Sequence, residues 1–341
     1  MLTGHELPVW GLVWSPGPRQ RLAGASDDGT VHVWSLTADG RFLTPGGRSI
    51  ELTGHRAGVS AVAWSPDGRR LVSVSEDRTA LIRDIAEAEE TVRAGEAPQA
   101  RKLTAPAPLN CVAWSPDGRR IAAGDDDRAA RLWDVDTGEE TSLTGHTDVV
   151  NGIAWHGHRI ATFSRDRRVA LWDAVPTGSQ VGTLLGHGDS VQNVSWSPDG
   201  TRLATASQDG TAVVWDVDRN SAVATLEHEG PLSDLAWSPD GRHLATVSWD
   251  RTVRLWDPDD GRELAVVGVH DDQVNGLAWH PDGSRLATVS RDRGVRIWEP
   301  TTDMEALLRR ARARVFRRLT DTERRSFLLP TATRAGAGTG H

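Results

Sequence analysis

The sequence predicts an all-β protein built from repeated small sheets, and three observations carry that prediction. The first is the stretch from Leu185 to Asp216, LGHGDSVQNVSWSPDGTRLATASQDGTAVVWD. It reads as three short strands, Val191 to Trp196, Arg202 to Ser207 and Thr211 to Trp215, separated by turns. At Ser197-Pro198-Asp199-Gly200 proline presets φ and glycine supplies a positive φ, and Gln208-Asp209-Gly210 makes the second corner. Val, Thr and Trp runs between such corners mark an antiparallel meander. The second observation is that the tryptophan ending the first strand recurs at Trp14, Trp64, Trp114, Trp155, Trp196, Trp237 and Trp279, with spacings of 50, 50, 41, 41, 41 and 42. The third is a parallel series at the end of the third strand: Trp34, Trp133, Trp172, Trp215, Trp256 and Trp298, with Arg83 in the second unit. A sheet this small cannot bury both faces alone, so the units must pack on one another.

Gly-His precedes the first strand at Gly4-His5, Gly54-His55, Gly145-His146 and Gly186-His187, while units six and seven keep only His228 and His270. Trp-Asp follows the third strand at Trp133-Asp134, Trp172-Asp173, Trp215-Asp216 and Trp256-Asp257. With both signatures in phase, the chain resembles the WD40-repeat family. The resemblance covers roughly residues 2–299 and implies a seven-bladed WD40-type β-propeller, with blades starting near residues 2, 52, 103, 143, 184, 226 and 267.

In chain order, blade one follows Met1 at once, and residues 37–50 lengthen its exit. Blade two ends in Ile82-Arg83-Asp84. An Ala- and Glu-rich insertion at 86–102 then has room for a short helical turn limited by Gly95 and Pro98. Blade three departs most from the pattern, with Ala105 near the expected His and Asp125 at the expected Ser. Blades four to seven are compact, and blade four shortens its first hairpin to Trp155-His156-Gly157-His158. A helical tail is expected over 303–329: Leu307, Leu308, Ala311, Val315, Phe316 and Leu319 fall on one face, and Thr320-Asp321-Thr322-Glu323 is a capping box. Residues 330–341 read as disordered. The stretch from Arg318 to Leu328 resembles a C-terminal element of WD-repeat regions in bacterial regulatory proteins.

A net charge of −8 argues against nucleic acid as the main partner. No apolar run is long enough to span a bilayer, and no signal-like segment opens the chain. Cys111 is the single cysteine, so no internal disulfide forms and a cytoplasmic location is expected, with the thiol buried and structural. Lys102 is the only lysine among 39 basic residues, a bias that points to a GC-rich, actinobacterial type of genome.

Five blades repeat His, Ser, Asp and Trp in register: His5/Ser26/Asp28/Trp34, His146/Ser164/Asp166/Trp172, His187/Ser207/Asp209/Trp215, His228/Ser248/Asp250/Trp256 and His270/Ser290/Asp292/Trp298. Catalysis needs one Ser-His-Asp site, whereas five copies around a ring point to architecture. The resemblance implies a buried chain in which the indole meets Ser, Ser meets His and His meets Asp. Blade two lacks the Trp and blade three the His and Ser, so these blades should be the softest. The pair His156 and His158 reads as an exposed turn rather than a metal site. No catalytic, cofactor or metal residues are assigned.

In propellers of this kind, partners commonly dock around the central channel, through positions three and five after the His and one before the turn Asp. Carried onto this chain, these positions include Trp10, Asp27, Glu76, Asp126, Arg165, Gln208, Trp249 and Arg291. Both tryptophans outside the two series, Trp10 and Trp249, fall on this set. With Arg291 they make an aromatic and basic sector, beside an acidic one of Asp27, Glu76 and Asp126. Trp and Arg are frequent interface anchors. The expected function is therefore a non-enzymatic scaffold for a protein or peptide partner. The alternatives are a sensor or autoinhibitory module of a larger signalling protein of kinase or NTPase type, and, from another class, a propeller enzyme. Little sequence precedes the first Gly-His, and helical spacing follows Trp298 where a fourth strand belongs. Blade seven is thus expected to have three strands, or to be completed by residues 303–312. The chain is expected to be a monomer unless that edge pairs, and it reads as a segment of a longer protein.

Overall fold

The structure, a computed structural model, describes residues 5–16, 21–35, 49–174, 178–280, 282–292 and 294–300. The tail helices expected over 303–329, the filling strand considered at 303–312, the disordered end at 330–341 and most of the 37–50 connection lie outside these residues. Met1–Glu299 is one compact unit, and the second unit, Pro300–His341, lies almost wholly outside the described residues.

The first unit consists of seven antiparallel sheets in chain order, six of four strands and the last of three, a seven-bladed β-propeller. Blade five shows the pattern: Val191–Trp196, Arg202–Ser207, Thr211–Asp216 and Ser221–Glu227. Its first turn is locked by the Ser197 hydroxyl, which donates to Asp199 at 2.6 Å and accepts from the Arg202 amide at 2.9 Å. Gly200 there sits at φ +71, where a side chain would be strained. Ser65, Ser115 and Ser238 build the same turn with Asp67, Asp117 and Asp240.

The core lies between blades. Ala23, Ala25, Val31 and Val33 of blade one pack on Val59, Val62, Trp64 and Leu71 of blade two. The second strands carry Ala, Thr and Ser because both their faces are covered: Ala204, Thr205, Ala206 and Ser207 are all 0 % exposed. The first-strand tryptophan crosses to the preceding blade. Its indole donates to the carbonyl just before that blade's own tryptophan: Trp64 to Val13 at 3.2 Å, Trp114 to Ala63 at 3.0 Å, Trp196 to Ala154 at 3.3 Å, Trp237 to Ser195 at 3.0 Å and Trp279 to Ala236 at 3.1 Å. Trp155, on the shortened hairpin, donates within its own turn to Gly157.

The blade-two insertion is more than the single helical turn expected from sequence. Ile85–Arg93 is a nine-residue α-helix. Asp84 caps it, accepting from the amides of Ala86 and Glu87 at 2.9 and 3.1 Å. Gly95 follows its end at φ +79. Ile85 and Ala88 are buried in the core between blades one and two, and Glu89 accepts from Arg21 of blade one at 2.6 Å.

Blade seven has three strands among the described residues, Val274–Trp279, Leu286–Ser290 and Val295–Trp298. Packed seams join each blade to the next from one to seven among the described residues.

Candidate protein-binding face

The polar chain inside the blades differs from the expected one at its centre. In blade five His187 Nδ1 donates to Asp209 at 3.0 Å, and its Nε2 lies 2.7 Å from the Thr205 hydroxyl. Trp215 donates to that same hydroxyl at 2.9 Å. Thr162, Thr246 and Thr288 play this part between His146 and Trp172, His228 and Trp256, and His270 and Trp298. The serines expected there are displaced by two residues. Ser164, Ser207, Ser248 and Ser290 donate to loop carbonyls near the first strand and accept from the amides of Asp166, Asp209, Asp250 and Asp292. Ser26 does the same with Leu7 and Asp28. A threonine and a serine two apart on a strand share a face, so both were candidates. The serine lies at the strand end, beside the turn, and the threonine lies opposite the indole. The motif Ala-Thr-x-Ser in blades four to seven was the signal that sequence reasoning passed over.

In blade one Gly24 stands at the threonine position, and His5 Nε2 meets the Gly24 carbonyl at 3.2 Å instead. Blade two uses Ser73, 2.8 Å from His55 Nε2. There Arg83 replaces the indole. It is buried, donates to the Thr53 carbonyl and leaves its Nε without a partner. Burial pushes its guanidinium down to about 10. Blade three substitutes a different chain: fully buried Asp125 accepts from Arg131 at 2.8 Å, Arg131 reaches Glu140 at 3.0 Å, and Trp133 donates to Glu140 at 3.2 Å.

The carboxylates are tuned by this packing. Burial pushes Asp250 up, but the bonds from His228 and from the Thr252 hydroxyl and amide outweigh it and hold it well below the usual range. The bond from His270 is the main cause that lowers Asp292 to about 2. Burial lowers His187 against the pull of Asp209. Thr162, Thr205, Thr246 and Thr288 are each 0 % exposed, so none of these hydroxyls can meet a substrate.

One buried carboxylate was missed altogether. Asp234 in blade six accepts from the Asn193 amide of blade five and from the backbone amide of Leu277 in blade seven at 2.9 Å. It ties three blades together, and burial pushes it up to about 6. Nothing in the repeat pattern marks it. Burial likewise pushes the Cys111 thiol up to about 12.

The face residues are organised by the backbone. In every blade the residue before the turn Asp donates its amide to the carbonyl three after the His, or after Ala105 in blade three: Asp27 to Pro8, Glu76 to Gly58, Asp126 to Pro108, Arg165 to Val149, Gln208 to Ser190, Trp249 to Pro231 and Arg291 to Gln273. The position five after the His is an extra residue in the first strand. The ladder steps from Val9 to Gly11 past Trp10, and likewise past Ser60, Asn110, Asn151, Gln192, Ser233 and Asn275. Such a bulge breaks the in-and-out alternation and re-aims its side chain.

Trp10 is 66 % exposed and donates to Asp27 at 2.6 Å. Arg291 lies over the Trp249 ring, 5.6 Å from its centre, a cation–π pair bridging blades seven and six. Glu76, Asp126 and Arg165 are exposed, and Asp126 accepts from Asn110 at 2.8 Å. Gln208 is half-buried. The structure thus brings together Trp249 with Arg291 and Trp10 with Asp27. Asn151 and Ser233 instead turn sideways, bonding to carbonyls of the following blade at Val191 and Val274. Among the described residues, no cluster of His, Cys, Asp and Glu is arranged to hold a metal, and no helix is long and apolar enough to cross a membrane.

Seven repeats with this strand order, four of them carrying the His–Thr–Trp chain, define a propeller of the WD-repeat class. The chain belongs to the WD40 family (WD domain, G-beta repeat), whose family model matches residues 1–35, 46–84, 98–134, 138–173, 178–216, 220–257 and 261–299. It is similar to WD repeat-containing protein 1 of Gallus gallus, 40 % identical over 89 residues, which is 25 % of this chain and 14 % of that protein. It is also similar to Coronin-7 of Mus musculus, 37 % identical over 92 residues, 26 % of this chain and 10 % of that protein. The matched segment is therefore a small part of either relative, about two blades long. Propellers of this family are typically scaffolds for protein interaction.

Proposed function

We propose that this chain is a non-enzymatic scaffold that captures a protein or peptide partner on the channel face, through a sector formed by Trp249, Arg291 and Trp10. The observation that carries this reading is the Arg291–Trp249 pair. A guanidinium stacked on an indole at the blade end offers a flat apolar surface with a fixed positive charge. The exposed Trp10 adds a second anchor, held in orientation by Asp27. Asp27, Glu76 and Asp126 give the adjoining sector acidic character, so a partner carrying charges of both signs would be oriented as well as bound. The reading places the protein in the cytoplasm of a bacterium, consistent with a single cysteine and the arginine bias.

The test is affinity capture from native cell extract, with wild type beside a Trp10→Ala/Trp249→Ala variant shown to be folded by circular dichroism. A partner retained by wild type and lost by the variant is the expected result. A partner held equally by both would overturn the assignment of this face.

A further inference from the structure

In blade two the third strand is Thr79–Asp84 and the outermost strand is Arg101–Thr104. Leu81 and Arg83 lie on the same face of this sheet, and Lys102 stands opposite Leu81 on that face. Arg83 is 3 % exposed, donates from Nη2 to the Thr53 carbonyl, and has no partner for Nε. Lys102, the only lysine of the chain, is exposed. Burial lowers His55, and the charges of Arg83 and Lys102 both reach it. The two cations therefore flank one place beside the Gly54-His55 corner. Gly54 leaves the guanidinium room there, since a Cβ at 54 would lie 3.0 Å from Nη2. In blade five the same place is open: Gly186, Val213, Trp215 and Thr225, the equivalents of Gly54, Leu81, Arg83 and Lys102, line a cleft of about 460 Å³. Three other blades carry an arginine on this face, and carboxylates meet each one. Arg131 of blade three has Asp125 and Glu140 at 2.8 and 3.0 Å, Arg254 of blade six has Glu263 at 2.9 Å, and Arg296 of blade seven has Asp271 at 2.6 Å. Glu140 stands opposite Trp133 in its ladder. Counting on from the pair Ile82 and Arg101, that place in blade two falls to Ala100, which has no charge to offer.

We propose that blade two holds a phosphate-binding site, with Arg83 and Lys102 as its two cations and a phosphate group in the place that Glu140 fills in blade three. A buried guanidinium without a counter-charge destabilises the blade that contains it, and an anion bound beside it removes that cost. Asp77, on the same side of the blade, does not supply the charge. It is engaged by the Arg56 amide, the Thr79 hydroxyl and His55. Two positive charges match a phosphate dianion better than a single carboxylate. The guanidinium offers N–H donors in a fixed plane, and the lysine adds a mobile point charge. Exposed Lys102 and Gly54 open the place to solvent. A free phosphate ion and a phosphorylated side chain of a partner present the same chemistry to these residues. The site is on the outer strands of blade two and does not rest on the Trp249–Arg291 sector.

The experiment is thermal unfolding of the full chain in inorganic phosphate and, in parallel, in N-acetyl-phosphoserine amide, each against chloride at equal ionic strength. Wild type should show a saturable rise in Tm of about 2–4 °C. Phosphate also stabilises proteins generally through its exclusion from their surfaces, and all variants share that rise. Arg83→Trp, which installs the residue of six other blades, and Ala100→Glu, which supplies the carboxylate of blade three, should both lose the saturable part. Lys102→Met, at an exposed position, should need about 10-fold more phosphate for half of the rise. Arg119→Met, exposed on the first turn of blade three, should respond as wild type does. Circular dichroism checks that each variant folds. Half-saturation at a lower concentration of the phosphoserine amide assigns the site to a phosphorylated side chain, and at a lower concentration of inorganic phosphate to the free ion; either result supports the site. A wild-type rise no larger in phosphate than in chloride would overturn the inference, as would an equal rise in Arg83→Trp and Ala100→Glu.

Discussion

The Thr205 hydroxyl lies 2.7 Å from Nε2 of His187, and the indole of Trp215 donates to the same oxygen from the other side. With His187 Nδ1 donating to Asp209, the neutral imidazole has Nε2 as its acceptor, so the threonine hydrogen points to the ring. Every polar atom along this line has a partner. Thr205→Val keeps the shape and removes the oxygen, leaving a buried indole N–H and a buried ring nitrogen unpaired. The expected cost is about 2–4 kcal/mol in urea unfolding. Ser207→Ala, which loses one bond to a loop carbonyl and one from the Asp209 amide, should cost less, about 1–2 kcal/mol. If the two substitutions are equally damaging, or the serine is the worse, the assignment of the central hydroxyl is wrong.

Arg83 is a buried cation whose Nε has no partner, at a position that six other blades give to tryptophan. Replacing a poorly compensated buried charge by an apolar group is often stabilising. Arg83→Trp should therefore raise stability by about 1–3 kcal/mol, its indole meeting the Ser73 hydroxyl that already holds His55. A thermal melt that falls rather than rises would show that the Thr53 contact matters more than the desolvated charge.

Gly152 faces the ring of Phe163, and a Cβ added at 152 would fall 1.9 Å from it. Five other blades have alanine or valine at the Phe163 position, among them Ala206 and Val247, and blade three has Gly124. Gly152→Ala should destabilise by about 3 kcal/mol or more through overpacking. The double variant Gly152→Ala/Phe163→Val should recover much of that loss. Additive effects in the double-mutant cycle would refute the proposed coupling.

The pH dependence of stability contains opposing contributions. Asp234 has a folded value of about 6 against an ordinary 3.8, so the folded state holds this proton more tightly than the unfolded one. Its contribution is favourable at low pH and is lost as pH rises from 3.8 through about 6, amounting to about 3 kcal/mol. His187 works the other way. Its folded value lies below 6.5, so its contribution is present above 6.5 and is lost as pH falls toward the folded value. Asp292, lowered to about 2, contributes stability above 3.8 that disappears as pH falls through about 2. Unfolding free energies of wild type and Asp234→Asn, measured between about pH 4 and about pH 7, should diverge by about 3 kcal/mol in the direction that penalises wild type at the higher pH. Parallel curves would mean that Asp234 titrates normally.

Much of this molecule is legible in one sequence because its information is local and repeated. The turn Ser197-Pro198-Asp199-Gly200 encodes its own geometry, and the tryptophan series counts the blades. The expected face positions, carried over from the family pattern by counting from His and Asp, fall at equivalent places in the blades because the bulge at Trp10 and its equivalents recurs at the same step of each. The central hydroxyl was misassigned because Thr205 and Ser207 recur in step and point to the same side. Counting cannot separate two residues that obey one period. The helix Ile85–Arg93 was read as shorter than it is because its stability comes from burying Ile85 and Ala88 between blades, a contact that local propensity does not register.

By itself the sequence determined the repeat, the strands, the turns and the number of blades, since each follows from residue type and spacing within about forty positions. Tertiary structure alone decided what depends on the meeting of distant blades. Asp234 is held from blades five and seven at once, Arg291 settles over Trp249, and Trp14 is left uncovered where Trp64 is buried. The physical reason is the same in each case. Burial, and with it the strength of every polar contact, is set by the neighbour across the seam, and a repeat unit does not carry that neighbour within itself.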